Sequence, residues 1–165
     1  MPEAARQLEV LSSTDQWLSL LVPCALSCGE DALAEVSHSK PWQNLPLTDT
    51  QVEHFAAALR EVVWNAIEHG GQLDANKQIR LDVLRTSRSL ACLIRDPGPG
   101  FRLAALKHAA INNPPDDTLQ HAMVREAEGL RPGGFGILLA QAYVDELIYN
   151  ETGNEVVLIR YLDGK

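Results

Sequence analysis

Between Thr50 and His69 the apolar residues Val52, Phe55, Ala56, Leu59, Val62, Val63, Ala66 and Ile67 recur at spacings of three and four. That period gathers them into one stripe of an α-helix. At about 100° per residue, Glu61, Asn65 and His69 fall side by side on another face. Thr48 or Thr50 is placed to cap the start of this helix, and Gly70 and Gly71 to end it. A period of two follows. In "KQIRLDVLRTSRSLACLIRD", Ile79, Leu81 and Val83 alternate with polar residues, and so do Leu90, Cys92 and Ile94, which predicts a β-hairpin. "VDELIYN" and "EVVLIRYL" flank "ETGN" and predict a second hairpin. "QLEVLSS" reads as a short first strand, and "GGFGILLAQAYVDELIY" as a helix that opens on glycines. Residues 15–36 read as partly helical, with Pro23 dividing the pattern, and "SHSKPWQNLPLTDT" as a loop.

The predicted order is strand, helices, two strands, helix, two strands. Short turns between neighbouring strands favour antiparallel pairing. The expected fold is therefore a two-layer α/β sandwich, a mixed, mostly antiparallel sheet with helices on one face, and not a doubly wound parallel sheet.

Composition narrows the function. The chain has 165 residues, enough for one domain with a real core, and residues 1–165 are expected to form a single unit. Its formal net charge of −8 argues against a nucleic-acid footprint or an anionic membrane surface. No apolar run approaches the ~20 residues of a membrane span, and "MPEAARQLEV" lacks the pattern of a signal peptide. A cytoplasmic protein is expected. Cys24, Cys28 and Cys92 are too few and too scattered for a zinc site, so buried free thiols are the better reading.

Three stretches carry candidate chemistry. In "REVVWNAIEHGG", Asn65 is a poor residue for a helix interior, but its carbonyl oxygen suits Mg²⁺. Glu61, one turn away, is placed to orient or deprotonate a nucleophile. In "DPGPGF", Asp96 stands where a strand ends, able to accept from an exocyclic amine such as that of adenine, and Gly98 and Gly100 let a flat ligand approach. In "RPGGFGILLA", Gly133, Gly134 and Gly136 precede a helix, whose N-terminus is a ready anion site. Each stretch alone also reads as an ordinary solvated face, a Pro-Gly turn or a flexible hinge.

In this order the three stretches resemble the N, G1 and G2 boxes of the ATPase superfamily that gyrase, histidine kinases, the mismatch-repair ATPase and the bacterial anti-sigma serine kinases share. "ExxxNAxxHG" matches at Glu61, Asn65, Ala66, His69 and Gly70; "DxGxGF" at Asp96, Gly98, Gly100 and Phe101; "GGxGI" at Gly133, Gly134, Gly136 and Ile137. The resemblance spans about residue 50 to the C-terminus and implies a histidine-kinase-like ATPase fold. It implies that Asn65 ligates Mg²⁺ at the phosphates of ATP and that Glu61 is the base. Asp96 would hold the adenine amine, with Gly98, Gly100 and Phe101 beside the ring. Residues 102–132 would form a mobile lid, and Gly133, Gly134, Phe135, Gly136 and Ile137 would close on the phosphates, with Arg131 reaching one of them.

The chain is little more than the ATP-binding domain, which most resembles the stand-alone anti-sigma factor serine kinases of partner-switching systems. That branch implies a protein that binds a sigma factor and phosphorylates a serine of a small antagonist protein, with homodimerisation common among relatives. The alternatives are a non-catalytic ATP-binding docking module and a detached catalytic domain of a histidine kinase. Two departures stand out. Residues 29–49 form a longer connection than usual, a candidate partner surface. Val156 and Val157 occupy positions where a hydroxyl facing the nucleotide would be sought, with Thr152 nearby in the turn.

Overall fold

The computed structural model describes residues 6–100 and 136–163. Six strands form one sheet: β1 Glu9–Ser13, β2 Trp17–Pro23, β3 Gln78–Arg85, β4 Ser89–Arg95, β5 Glu146–Tyr149 and β6 Glu155–Tyr161. The sheet order is β1-β2-β3-β4-β6-β5. Every described pairing is antiparallel, so the expected mixed character is absent among the described residues. Three helices lie on one face: α1 Leu26–His38, α2 Asp49–Asn65 and α3 Gly136–Tyr143.

The alternation in β2, β3, β4 and β6 points Leu18, Leu20, Val22, Ile79, Leu81, Val83, Leu90, Cys92, Ile94, Val156 and Leu158 to the helices, where all are buried. α2 seals this layer with Phe55, Ala58, Leu59, Val62 and Val63. Its stripe is displaced from the predicted one: Ala58 is buried, whereas Ala56 is exposed and Val52 only half-buried. Thr48 is the N-cap, in a capping box in which its hydroxyl accepts from Gln51 N (3.1 Å) and Gln51 Oε1 accepts from Thr48 N (2.9 Å).

The first half of the predicted helical region, 15–36, is a strand instead. In β2 the residues Leu18, Leu20 and Val22 face the core and pair with Val83, Leu81 and Ile79 across β3. Flanked by other apolar residues, this run shows no clean alternation, so its period is ambiguous until a partner strand supplies the hydrogen bonds. Pro23 ends the strand, and α1 begins after it. Residues 29–49 comprise the rest of α1, a 3₁₀ turn at Lys40–Trp42 and a loop. Part of this segment builds the core, because Gly29, Ala32, Val36 and Trp42 are buried and Trp42 stacks on Phe55 at 5.4 Å. The three cysteines are free and buried, as expected. No helix among the described residues is long and apolar enough to cross a membrane.

Candidate functional site

The helix that carries Glu61 and Asn65 changes pitch at its end. Asn65 is the last α-helical residue, and Ala66–Gly70 form a π turn in which Gly71 N donates to Ala66 O at 2.8 Å. Such turns widen a helix by one residue. Glu61 and Asn65, one α turn apart and both half-buried, keep their shared face. His69 lies inside the wider turn.

The same turn delivers Gly70 to Asp96. A Cβ on Gly70 would lie 2.1 Å from Asp96 Cγ and 2.4 Å from Oδ1, so only a glycine lets the carboxylate approach. Behind it, a Cβ on Gly71 would lie 2.2 Å from Cys24 Sγ. The G1 and N stretches, 26 residues apart in sequence, are thus in direct contact.

Asp96 is the first residue past β4. Its N–H donates to Asn154 O at 2.9 Å, which extends the β4–β6 ladder beyond Arg95 and Glu155. Its Oδ1 accepts from Gly98 N at 2.8 Å; among the described residues its Oδ2 accepts no hydrogen bond. Burial raises the Asp96 carboxyl above the ordinary 3.8, and the Gly98 N–H partly opposes that. Two neighbours register the Asp96 charge. Tyr149 is pushed up to about 12 and Cys24 to about 11, in each case by burial first and by the carboxylate second. The carboxylate therefore stands in a partly desolvated niche beside a phenol and a thiol. One oxygen is fixed and the other is left to accept from a donor. Gly100 closes the loop at φ +79°, and its missing Cβ would lie 1.8 Å from Thr152 O.

Gly136 opens α3, and Ile137 is buried. α3 packs on α2, and Tyr143, its last residue, stacks on His54 with centroids 4.0 Å apart and planes 3° apart. His54 belongs to the first half of α2. Phe101, Arg131, Gly133, Gly134, Phe135 and the expected lid at 102–132 lie outside the described residues.

Four residues at this niche carried no signal of their own in the sequence: Cys24, Tyr149, Asn150 and Asn154. The turn "ETGN" was legible as a turn, but only the pairing of β6 with β4 sets it beside Asp96. Val156 pairs with Ile94 and is buried in the core, and Val157 pairs with Leu93 on the opposite face. Asn154 and the main chain of Thr152 adjoin the loop instead.

Comparison with known proteins agrees with the architecture. The histidine kinase-like ATPase domain family matches residues 32–160, most of the chain. A curated relative, a protein named serine-protein kinase RsbW from Oceanobacillus iheyensis, is 25% identical over 112 residues. The match covers 67% of this chain and 66% of the relative, just under two thirds of that protein's own length.

Proposed function

Since the chain belongs to the histidine kinase-like ATPase family, we propose that it binds ATP with Mg²⁺ and phosphorylates a serine of a small antagonist protein, and that it also binds a sigma factor. The observation that carries the nucleotide part is the Asp96 niche. Its carboxylate is anchored at one oxygen by Gly98 N, pressed against Gly70 where no side chain fits, and, among the described residues, open at its other oxygen. A half-buried acceptor with no positive partner among the described residues suits a neutral N–H donor such as an exocyclic amine. Adenine presents such an amine at the edge of its ring, which makes it the expected donor. The serine-kinase part rests on the relative's name and on the sequence resemblance.

Asn65 would hold the metal through its side-chain oxygen, a hard ligand. Mg²⁺, when bound there, would supply charge neutralisation at the phosphates. Glu61, one turn before, accepts the proton of the attacking serine hydroxyl. The start of α3 directs backbone N–H groups to the phosphates.

Two substitutions separate these roles. Glu61→Ala is expected to retain ATP affinity and slow phosphoryl transfer by about 10²–10⁴-fold. Asn65→Ala is expected to weaken Mg²⁺-dependent ATP binding itself. Calorimetry and transfer to the antagonist are measured for both variants. Unchanged transfer by Glu61→Ala sinks the catalytic assignment and leaves a nucleotide-binding docking module. An acid-labile product in place of phosphoserine assigns the chain to histidine phosphorylation.

A further inference from the structure

The turn between β5 and β6 is built around one side chain. Asn150, just past β5, presents its Oδ1 to three consecutive amides: Gly153 N at 2.8 Å, Asn154 N at 3.1 Å and Glu155 N at 3.2 Å. Only an oxygen accepts three N–H groups, so the orientation of this amide is fixed. Its Nδ2 donates to Asn154 Oδ1 at 3.0 Å, and Gly153 supplies the left-handed backbone, φ +83°, that the closure requires. Successive amides gathered on one acceptor give the turn a single concave shape.

That shape meets the Asp96 loop at three points. Asn154 O accepts from Asp96 N at 2.9 Å, and Asn154 Nδ2 reaches Gly98 O at 3.4 Å. The Thr152 carbonyl packs against Gly100 so closely that no Cβ fits between them. Asp96 is therefore braced from one side by Gly70 and from the other by a turn whose geometry depends on Asn150.

We propose that Asn150 is a positioning residue for base recognition: by shaping the 151–154 turn it holds the Asp96 carboxylate where it meets the exocyclic amine of a nucleotide, and so sets base selectivity without touching the nucleotide. The selectivity part rests on the nucleotide site proposed above; the coupling of turn to loop stands on the hydrogen bonds alone. Asn150 is exposed, and β6 remains paired with β4 from Ser89↔Tyr161 to Arg95↔Glu155. Its loss therefore loosens the turn and leaves the sheet intact.

The test uses the full chain with Asn150→Ala and Asn150→Asp, the second of which keeps the accepting oxygen. Hydrogen exchange at the Asp96 amide and titration with ATP and with purine riboside triphosphate, which lacks the 6-amino group, are measured on each. In Asn150→Ala the Asp96 amide is expected to exchange about tenfold faster, with the amides of Leu90–Ile94 unchanged. ATP is expected to bind about tenfold more weakly, and the analogue as before. Asn150→Asp is expected to restore both. Unchanged protection of the Asp96 amide in Asn150→Ala, or equal loss of both nucleotides, overturns the proposal. If the parent binds neither nucleotide, the nucleotide site and the selectivity it would set are refuted together. The exchange result then decides the coupling of turn to loop by itself, faster exchange supporting it and unchanged exchange refuting it.

Discussion

Gly70→Ala sets helix propensity against a single close contact. Gly70 ends the π turn and does not adopt a left-handed backbone, so alanine suits its backbone. Propensity alone would gain up to about 1 kcal/mol, because glycine loses more chain entropy on ordering. The new Cβ, however, would lie 2.1 Å from Asp96 Cγ, against the 3.4 Å where ordinary contact begins, so the carboxylate must retreat by about 1.3 Å. Asp96 cannot swing away freely, because Gly98 N holds its Oδ1 at 2.8 Å and Asn154 O holds its N–H at 2.9 Å. Overpacking of this kind costs about 1–3 kcal/mol, which exceeds the propensity gain, so the variant is expected to be modestly less stable. The effect on ligand is larger in proportion. A hydrogen bond is lost once its heavy atoms separate beyond about 3.5 Å, and 1.3 Å of retreat carries a well-formed bond past that limit. Removing a charged acceptor from a neutral donor costs about 1.5–3 kcal/mol, or roughly 10- to 150-fold in affinity. Calorimetric titration with ATP, beside chemical denaturation of the empty protein, reads both quantities. ATP affinity equal to the parent's in a folded Gly70→Ala protein would refute the assignment of Asp96 as the base acceptor.

Acid is expected to act on the same group in two directions. Burial raises the Asp96 carboxyl above 3.8, so the empty folded protein binds that proton more tightly than the unfolded chain does. The buried charge lowers stability at neutral pH, and that penalty is relieved as the pH falls through the raised value. ATP affinity should instead fall over the same interval, at a pH above that of an ordinary carboxylate, because the protonated form no longer accepts; Asp96→Asn should abolish this dependence in a pH series of titrations. Thr48→Ala, which removes the cap of α2 at the end far from Asn65, is expected to cost about 1 kcal/mol in denaturant unfolding and to leave ATP affinity unchanged, and a loss of affinity would show that the capped end reaches the site.

How much of this was written in the chain depends on the range of the interaction. Periodicity located α2, β3 and β4 because each buries one face, and burial imposes its period on the sequence whatever the partner is. Thr48 marked the start of α2, and Gly70 and Gly71 the end of the π turn that follows it, because caps are satisfied within a few residues. Glu61, Asn65, Asp96, Gly98 and Gly100 could be proposed as site residues from the chain alone, because a family motif is residue type at fixed local spacing. β2 was misread because Trp17–Pro23 becomes a strand through hydrogen bonds to residues 78–84, and nothing local specifies that partner. The π turn that follows α2 was equally hidden, since one inserted residue of pitch leaves no periodic trace in five residues. The surroundings of Asp96 were invisible for the same reason on a larger scale. Cys24, Tyr149, Asn150 and Asn154 come from segments more than fifty residues from it on either side, and the sheet order alone brings them together. The sequence by itself determined the family and the candidate groups, because motif residues and their spacing are local; tertiary structure decided how Asp96 is desolvated and wedged, because burial and approach are properties of neighbours that the chain reaches only by folding.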